Sequence, residues 1–239
     1  MKKQTILLAS TLVFYAFSYS VYASDTGFKG SGEFGFTNTT GNTESTSVIG
    51  ALKLNYIQPI YEIKTAFSVN NKSENDIQTQ QRYVADLQYD RFYSEDKDYY
   101  SFSQVRFESD DFADLNLDAL FTVGLGKTLF KNENSNFSLE AGLGYQSLDY
   151  IVAKDVDQTI ARLKADYFYQ INNQVAFTQD AIVYAGPNQT KLETNTAVKV
   201  NMAASLSIKA GFQNRTNSDP AEGFKKDDTQ TTLTVIYDF

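Results

Sequence analysis

Apolar and polar residues alternate with a period of two along most of this chain of 239 residues. Successive side chains of a β-strand point to opposite faces, so each alternating segment is predicted to be a strand with one apolar and one polar face. No stretch after Ser24 shows the spacing of about 3.6 residues that is typical of an amphipathic helix. The clearest alternating segments are 48–56, 61–69, 83–89, 119–125, 137–145, 161–169, 206–212 and 233–239.

The polar faces of these strands carry many charged residues. They include Glu33, Lys53, Glu62, Lys64, Arg82, Asp86, Asp90, Arg106, Glu108, Glu140, Arg162, Lys164, Asp166, Glu193, Lys199, Lys209 and Asp238. In a soluble sandwich such residues would face water, whereas in a transmembrane barrel they would face the lumen while the apolar residues face lipid. The period alone fits both arrangements.

The connections favour the barrel. Short turns are predicted at 58–59, 94–98, 131–135, 172–173 and 203–204, and longer polar loops at 38–44, 71–79, 109–116, 148–158, 186–192 and 214–228. Short and long connections therefore alternate strictly, as they do in outer-membrane barrels with short periplasmic turns and longer external loops.

The aromatic residues also favour a membrane position. The chain has 16 Tyr and 18 Phe, and many of them flank the short turns. These are Tyr56, Tyr61, Phe92, Tyr93, Tyr99, Tyr100, Phe130, Phe137, Tyr167, Tyr169 and Phe177. We interpret them as an aromatic girdle at one membrane interface, where amphipathic rings are enriched.

Together these patterns predict an all-β fold, a transmembrane antiparallel up-and-down β-barrel of about 12 strands that starts near Phe28. The even strand number puts both termini on one side, which we expect to be the periplasm. The last strand alternates up to Tyr237 and Phe239, which resemble the C-terminal signal that the barrel-assembly machinery reads. A soluble periplasmic β-sandwich is the structural alternative.

The first residues are predicted to be a secretory signal peptide, residues 1–23. Lys2 and Lys3 precede an apolar segment at 6–17, which is too short to span a membrane. Cleavage between Ala23 and Ser24 would leave residues 24–239 as an outer-membrane barrel of a Gram-negative bacterium.

Composition excludes several functions. The chain has no His and no Cys, which removes Ser-His-Asp catalysis, thiolate chemistry and the commonest zinc ligands. A formal net charge of −8 disfavours nucleic acid as a partner. We therefore expect no catalytic residue, no metal site, no cofactor and no enzymatic activity.

Residues 32–43, with the sequence GEFGFTNTTGNT, resemble the opening strand and loop of domain of unknown function family 481, whose members are labelled salt-induced outer membrane proteins. Residues 106–110, 139–145, 217–220 and 237–239 are similar to later stretches of that family. The resemblance covers nearly all of the predicted mature chain and implies an outer-membrane barrel. It implies no activity and no site residues.

Two motifs suggest chemistry that we disfavour. Residues 30–35 spell G-x-G-x-x-G, but a dinucleotide site needs a helix to follow, and here a strand continues. We expect these glycines, like those at 124–126 and 142–144, to let interior side chains approach the wall. Asp110, Asp111, Asp114 and Asp118 crowd one predicted loop and could bind Ca²⁺ or bridge to lipopolysaccharide, although a solvated acidic loop is the simpler interpretation.

The inward charges are nearly balanced in sign, which leaves two functions open. The first is a passive small-solute channel with a mixed-charge lumen. The second is a closed structural or envelope stress-adaptation barrel, in which the same charges cross-link the interior. The expected partners are outer-membrane lipid, lipopolysaccharide and the barrel-assembly machinery. An enzyme with a carboxylate pair is a third and weaker hypothesis.

Overall fold

The structure is a computed structural model that describes residues 26–39 and 45–239. The predicted signal peptide and its cleavage site at Ala23 and Ser24 lie outside the described residues. Within the part of the chain that is described, no helix has the length and apolarity needed to cross a membrane.

Over residues 26–39 and 45–239, the fold consists of twelve strands and one short 3₁₀ helix. The strands are β1 Gly27–Thr39, β2 Ser45–Ile57, β3 Tyr61–Glu74, β4 Ile77–Phe92, β5 Tyr99–Asp110, β6 Leu115–Lys131, β7 Ser135–Tyr150, β8 Val156–Gln170, β9 Val175–Ala185, β10 Thr190–Asn201, β11 Leu206–Asn217 and β12 Asp227–Asp238. The 3₁₀ helix, Asp111–Ala113, lies between β5 and β6.

Every strand pairs antiparallel with its sequence neighbour, and β12 returns to pair with β1, so the sheet closes into a barrel. This confirms the predicted transmembrane up-and-down barrel and its strand number. Closure avoids exposed strand edges, whose backbone N–H and C=O groups would find no hydrogen-bond partners in lipid. Large apolar side chains cover the outer face, and Leu125 and Leu143 on the neighbouring strands β6 and β7 are each 69% exposed.

The two ends of the barrel are distinct. We call the end that carries Gly27, Phe239 and the turns after β2, β4, β6, β8 and β10 the terminal end, and the opposite end the loop end. The even strand number brings both termini to the same end, as the sequence predicts.

The predicted strict alternation of short and long connections is wrong. Asn75 and Asp76 alone join β3 to β4, with φ values of 50° and 63°, as in a type I′ hairpin turn. Asn and Asp tolerate positive φ because their short polar side chains bond locally. Several of the predicted long loops are solvated strand ends, which the sequence does not distinguish from loops because their polar compositions are similar.

The aromatic girdle is formed largely as predicted. Ring contacts link neighbouring strands at the terminal end, with centroid distances of 6.2 Å for Tyr56–Tyr61, 5.6 Å for Phe130–Phe137 and 6.3 Å for Tyr167–Phe177. Tyr100 is the exception, because it is only 6% exposed and its hydroxyl donates to Glu140 inside the barrel.

Candidate functional site in the lumen

The inner face of the barrel is identified by contacts between strands that are not neighbours in the sheet. Arg82 of β4 donates a hydrogen bond of 3.2 Å to Glu193 of β10, and Lys209 of β11 lies 2.6 Å from Glu33 of β1. Since other strands separate each pair in the closed order, these side chains meet across the interior. The polar strand faces therefore converge in the lumen, which is the candidate functional site.

Strand alternation places the charged residues expected to line the lumen on this same inner face. Some of these residues are buried against one another and others remain exposed to solvent, so that two walls of the lumen can be distinguished. We call the inner face of β4–β9 the packed wall, and the inner face of β10–β12 and β1–β3 the open wall.

A buried ion pair lies at the centre of the packed wall. Arg162 is 0% exposed, and its Nη1 lies 2.7 Å from Glu140 Oε2. Its guanidinium carbon sits 4.4 Å from the centroid of the Phe102 ring, so the cation also stacks on an aromatic face. Gln88 donates to Glu140 over 3.0 Å and to Asp90 over 2.9 Å. Each buried charge thus has a compensating partner, which burial requires.

Glycines make room for the rings of the packed wall. A Cβ added at Gly124 would lie 2.7 Å from the Phe102 ring, and one at Gly142 would lie 2.8 Å from it. A Cβ at Gly126 would overlap the Tyr100 ring. The glycines of β6 and β7 therefore form a flat floor on which both rings lie, in agreement with the expectation that glycines let interior side chains approach the wall.

Apolar residues fill part of the packed wall, which the sequence interpretation missed. Leu120, Ile160, Ile182 and Tyr184 are buried and form one cluster inside the barrel. The phase of the strand indicates this position, because Ile160 precedes the inward Arg162 by two residues and therefore lies on the same face. Together with Phe102 and Arg162, this cluster leaves little solvent in the middle of the packed wall. Nearer the terminal end, Lys164 and Asp166 of β8 keep side-chain exposures of 27% and 39%.

A buried ion network joins the two walls at the loop end. Arg82 donates to Glu108 over 2.7 Å as well as to Glu193. Arg106 donates to the same two carboxylates, over 3.1 Å to Glu108 and 3.0 Å to Glu193. Two arginines therefore share two carboxylates, and the arrangement narrows the lumen between β4–β5 and β10.

Further pairs extend this loop-end network, and the sequence interpretation had not assigned these residues to the lumen. Arg215 donates to Asp110 over 3.0 Å, and Lys191 donates to Asp118 over 2.7 Å. Next to these pairs lies a cavity of ≈ 80 Å³. It is lined by Pro220 and Phe224 of the connection between β11 and β12, and by Phe112 and Tyr150. The loop end of the lumen is thus both cross-linked and covered.

The prediction that these four aspartates form a solvated loop is wrong for three of them, which are buried. Asp118 belongs to β6 and is 5% exposed, Asp110 ends β5 at 3%, and Asp114 is 4% exposed. Asp114 has a positive φ of 58° and accepts from the backbone amides of Val152 and Ala153 over 3.0 and 2.9 Å. These carboxylates hold the barrel rim together. Within the described residues, no three acidic side chains are grouped so as to hold a metal ion.

Towards the terminal end, the open wall keeps several charges in contact with solvent. Lys53 is exposed and faces the lumen. Lys199 lies 2.6 Å from Asp238, with side-chain exposures of 30% and 42%. Lys64 lies 2.6 Å from Asp90 and is 39% exposed. Side chains of both signs on this wall are therefore accessible to solvent inside the barrel.

The predicted assembly signal lies at the terminal end, on the outer face. The rings of Tyr237 and Phe239 stack at 6.3 Å with an interplanar angle of 26°, and both are about half exposed. This placement is accessible to a partner in the membrane. The recognition itself stays a prediction.

Comparisons with known proteins give both sequence relatives and solved structures of similar fold. The uncharacterized protein YdiY of Escherichia coli (strain K12) is 26% identical over 215 residues, which cover 88% of this chain and 82% of that protein. The COG4313 outer membrane channel from Pseudomonas putida F1 superposes with a TM-score of 0.54 at 9% identity, covering 91% of this chain and 97% of that one. The NanC porin gives a TM-score of 0.49 at 11% identity, covering 89% and 98%.

At such identities the structural likeness concerns the fold alone, whereas the family is shown by sequence. Residues 32–239 match the family described as Protein of unknown function, DUF481, which confirms the resemblance that the opening strand and loop indicated. Since the match spans most of the sequence, the chain belongs to that family.

Proposed function

We propose that this protein is a passive channel for small polar solutes. The observation that carries the proposal is the open wall, where Lys53, Lys199 and Asp238 keep solvent contact inside the barrel. Polar and charged side chains along a hydrated path are the lining that a small-solute pore uses to set selectivity. Because lysines and carboxylates alternate around this space, we expect weak rather than strong charge selection.

The loop-end network is the constriction of the proposed channel. Arg82, Arg106, Glu108 and Glu193 span the lumen and are largely shielded from solvent. A solute that follows the open wall from the terminal end meets this network before the loop end. The network then sets the size limit of the pathway.

The proposed location is the outer membrane of a Gram-negative bacterium, with both termini in the periplasm. The transmembrane barrel fold, the predicted signal peptide and the aromatic pair at Tyr237 and Phe239 support it. Lipid and lipopolysaccharide would surround the outer face, and the barrel-assembly machinery would read the last strand. The lack of His and Cys in the sequence supports a function without catalysis.

Planar-bilayer recording of the refolded mature protein tests the channel. We expect discrete conductance steps, because the hydrated open wall offers ions a continuous polar surface. Protein kept unfolded in urea before dilution is the control for detergent artefacts. The absence of steps at any voltage would count against the proposal.

A pair of single-cysteine variants locates the path, since the natural chain has no Cys. Lys53→Cys places a thiol in the lumen, and Leu52→Cys places one on the lipid face at the next position. A charged, water-soluble methanethiosulfonate should lower the conductance of the first variant and leave the second unchanged. Equal responses would contradict a path along the open wall.

The alternative is a closed structural barrel for envelope adaptation, and the loop-end network favours it. At the loop end, arginines pair with a carboxylate of the opposite wall, and the connection between β11 and β12 lies next to them. This arrangement fits a closed lumen as well as a narrow one. A deletion strain separates the alternatives in cells. Unaltered envelope permeability and salt tolerance would count against the structural role.

A further inference from the structure

The outer face of the barrel carries an apolar groove that runs across β2–β6. Its volume is ≈ 500 Å³, within the range of about 300–1,000 Å³ that is typical of ligand pockets. The side chains that form it alternate along their strands with inward residues, so they face lipid. They are Leu52, Phe67, Val69, Tyr83, Phe107 and Leu117.

Small residues form the floor of this groove. Ala85 of β4 lies between Phe67 of β3 and Phe107 of β5 in the register of the sheet, so the two rings stand on either side of it. A Cβ added at Gly50 would meet only Val69 Cγ1, at 3.1 Å. The floor is therefore low on both β2 and β4.

The width of the groove restricts what can occupy it. Neighbouring strands lie about 4.8 Å apart, so the backbones of β3 and β5 are separated by about 10 Å. Between the rings of Phe67 and Phe107 this distance leaves room for one hydrocarbon chain. An α-helix of a partner protein, which is about 10–12 Å across with its side chains, is too wide.

The end of the groove that is nearer the loop end of the barrel is polar. Tyr83 and Ser109 pair directly between β4 and β5, and within the described part of the chain neither hydroxyl has a hydrogen-bond partner. The register between β5 and β6 shifts between Glu108 and Asp110, so Ser109 has no partner in β6. A bulge of this kind interrupts the ladder, and backbone groups that face lipid require a polar partner.

The charges near this polar end distinguish between lipid head groups. Asp111, which follows Ser109 by two residues, is exposed. Outward positions of β2–β4 beyond the groove are uncharged, and they include Thr46, Val48, Asn71 and Gln81. Among the described residues, no outward Lys or Arg of β2–β5 lies at this end to bind the phosphates of lipopolysaccharide. A carboxylate without a neighbouring cation instead favours an ammonium group.

We propose that the groove binds one acyl chain of a glycerophospholipid that has an ammonium head group. The chain lies over Ala85 between the rings of Phe67 and Phe107. An ester carbonyl of the lipid accepts hydrogen bonds from the hydroxyls of Tyr83 and Ser109, and the ammonium group faces the carboxylate at the rim. The site is on the lipid face of the barrel, so it goes beyond the channel and does not depend on an open lumen.

Single tryptophans test the groove, since the natural chain has no Trp. Phe107→Trp places the fluorophore in the groove, and Phe212→Trp places it on the outer face of β11 as the matched control, because both phenylalanines are 47% exposed. The full mature protein is refolded in phosphatidylglycerol vesicles that contain increasing fractions of phosphatidylethanolamine with brominated acyl chains. Bromine quenches tryptophan fluorescence at short range.

We expect the quenching of Phe107→Trp to correspond to about tenfold enrichment of phosphatidylethanolamine, because two hydrogen bonds and one charge contact together supply a preference of this size. Quenching of Phe212→Trp should follow the mean composition of the vesicle. Equal quenching at the two positions would overturn the proposal.

Native mass spectrometry gives a second readout on the protein without added tryptophan. We expect the wild-type protein extracted from mixed vesicles to retain one phosphatidylethanolamine. Ala85→Leu fills the groove and should lose this lipid, whereas Ala165→Leu, the same change on the outer face of β8, should retain it. Retention in Ala85→Leu would contradict the groove. A wild-type dimer that Ala85→Leu dissociates would also contradict it, because a second copy would then cover the groove.

Variants of the polar end test the head-group contacts. Tyr83→Phe combined with Ser109→Ala should remove most of the enrichment. Asp111→Asn should abolish the preference for phosphatidylethanolamine over phosphatidylglycerol and leave the unfolding midpoint unchanged. Preferential retention of phosphatidylglycerol or lipopolysaccharide by the wild-type protein would overturn the assignment of an ammonium head. Conductance measured on the same variants reports on the lumen separately, so failure of the lipid site and failure of the channel are distinguishable.

Discussion

The packed wall and the open wall hold ion pairs of nearly equal length in very different surroundings. Arg162 and Glu140 lie 2.7 Å apart with side-chain exposures of 0% and 2%, whereas Lys199 and Asp238 lie 2.6 Å apart with exposures of 30% and 42%. A buried charge loses its hydration and depends on its partner, while a hydrated one does not. Ion pairs of nearly the same length therefore stabilise a buried interior in the packed wall and leave their charges accessible to solutes in the open wall.

Removing Arg162 should give the largest effect. We expect Arg162→Ala to lower the free energy of unfolding by about 3–5 kcal/mol, because Glu140 is left as an uncompensated buried charge. Urea unfolding of the protein in lipid vesicles measures this change in the free energy of unfolding. The near-ultraviolet circular dichroism of the tyrosines reports the transition, since the chain has no Trp. Lys199→Ala is the control and should cost under about 1 kcal/mol. Equal losses would remove the distinction between the walls.

Filling the glycine floor should have the next largest effect. Gly142→Ala adds a Cβ 2.5 Å from the Val123 carbonyl oxygen and 2.8 Å from Phe102, and overpacking of this kind typically costs about 1–3 kcal/mol. Gly32→Ala is the matched control, since a Cβ there meets nothing within 4 Å. Unfolding midpoints in urea compare the two variants. A control as unstable as Gly142→Ala would show that strand propensity, not ring packing, decides the cost.

Loosening the loop-end network should change conductance more than stability. Glu193→Gln keeps a hydrogen-bond acceptor but removes the charge that Arg82 and Arg106 share. We expect a larger unit conductance and a stronger anion preference, because cationic groups are freed at the constriction. Asp238→Asn, in a pair of the open wall, should change conductance little. An unchanged Glu193→Gln channel would place the constriction elsewhere.

Reversing the charge of Lys53, which is exposed to the lumen, should give the smallest structural effect. Lys53→Glu is expected to shift the reversal potential towards cation selectivity and to leave the unfolding midpoint unchanged, since Lys53 is solvated. Lys53→Arg should preserve the wild-type selectivity. Reversal of Arg106 or Arg162, which the sequence alone would suggest for this test, would instead disrupt buried pairs. Loss of folding in Lys53→Glu would contradict the hydrated open wall.

Much of the lumen could be predicted from strand phase, and much of its organisation could not. Glu33, Lys53 and Arg162 fall on the inner face because alternation fixes the face of every residue in a strand. The girdle prediction is wrong for Tyr100, whose phase points inward, and no prediction covers the buried Ile160, because aliphatic residues are expected to face lipid. Asp118 was assigned to a loop because a solvated strand end and a loop share the same polar composition.

The sequence by itself determined the strands, their faces, their number and hence the closed barrel, because a period of two is a local property that each strand carries alone. Only the tertiary structure decided which charges meet, since Arg82 and Glu193 are 111 residues apart and become partners only when register and closure fix the distance across the lumen. It also decided that one wall is packed and the other hydrated, because that depends on the space left between opposite side chains.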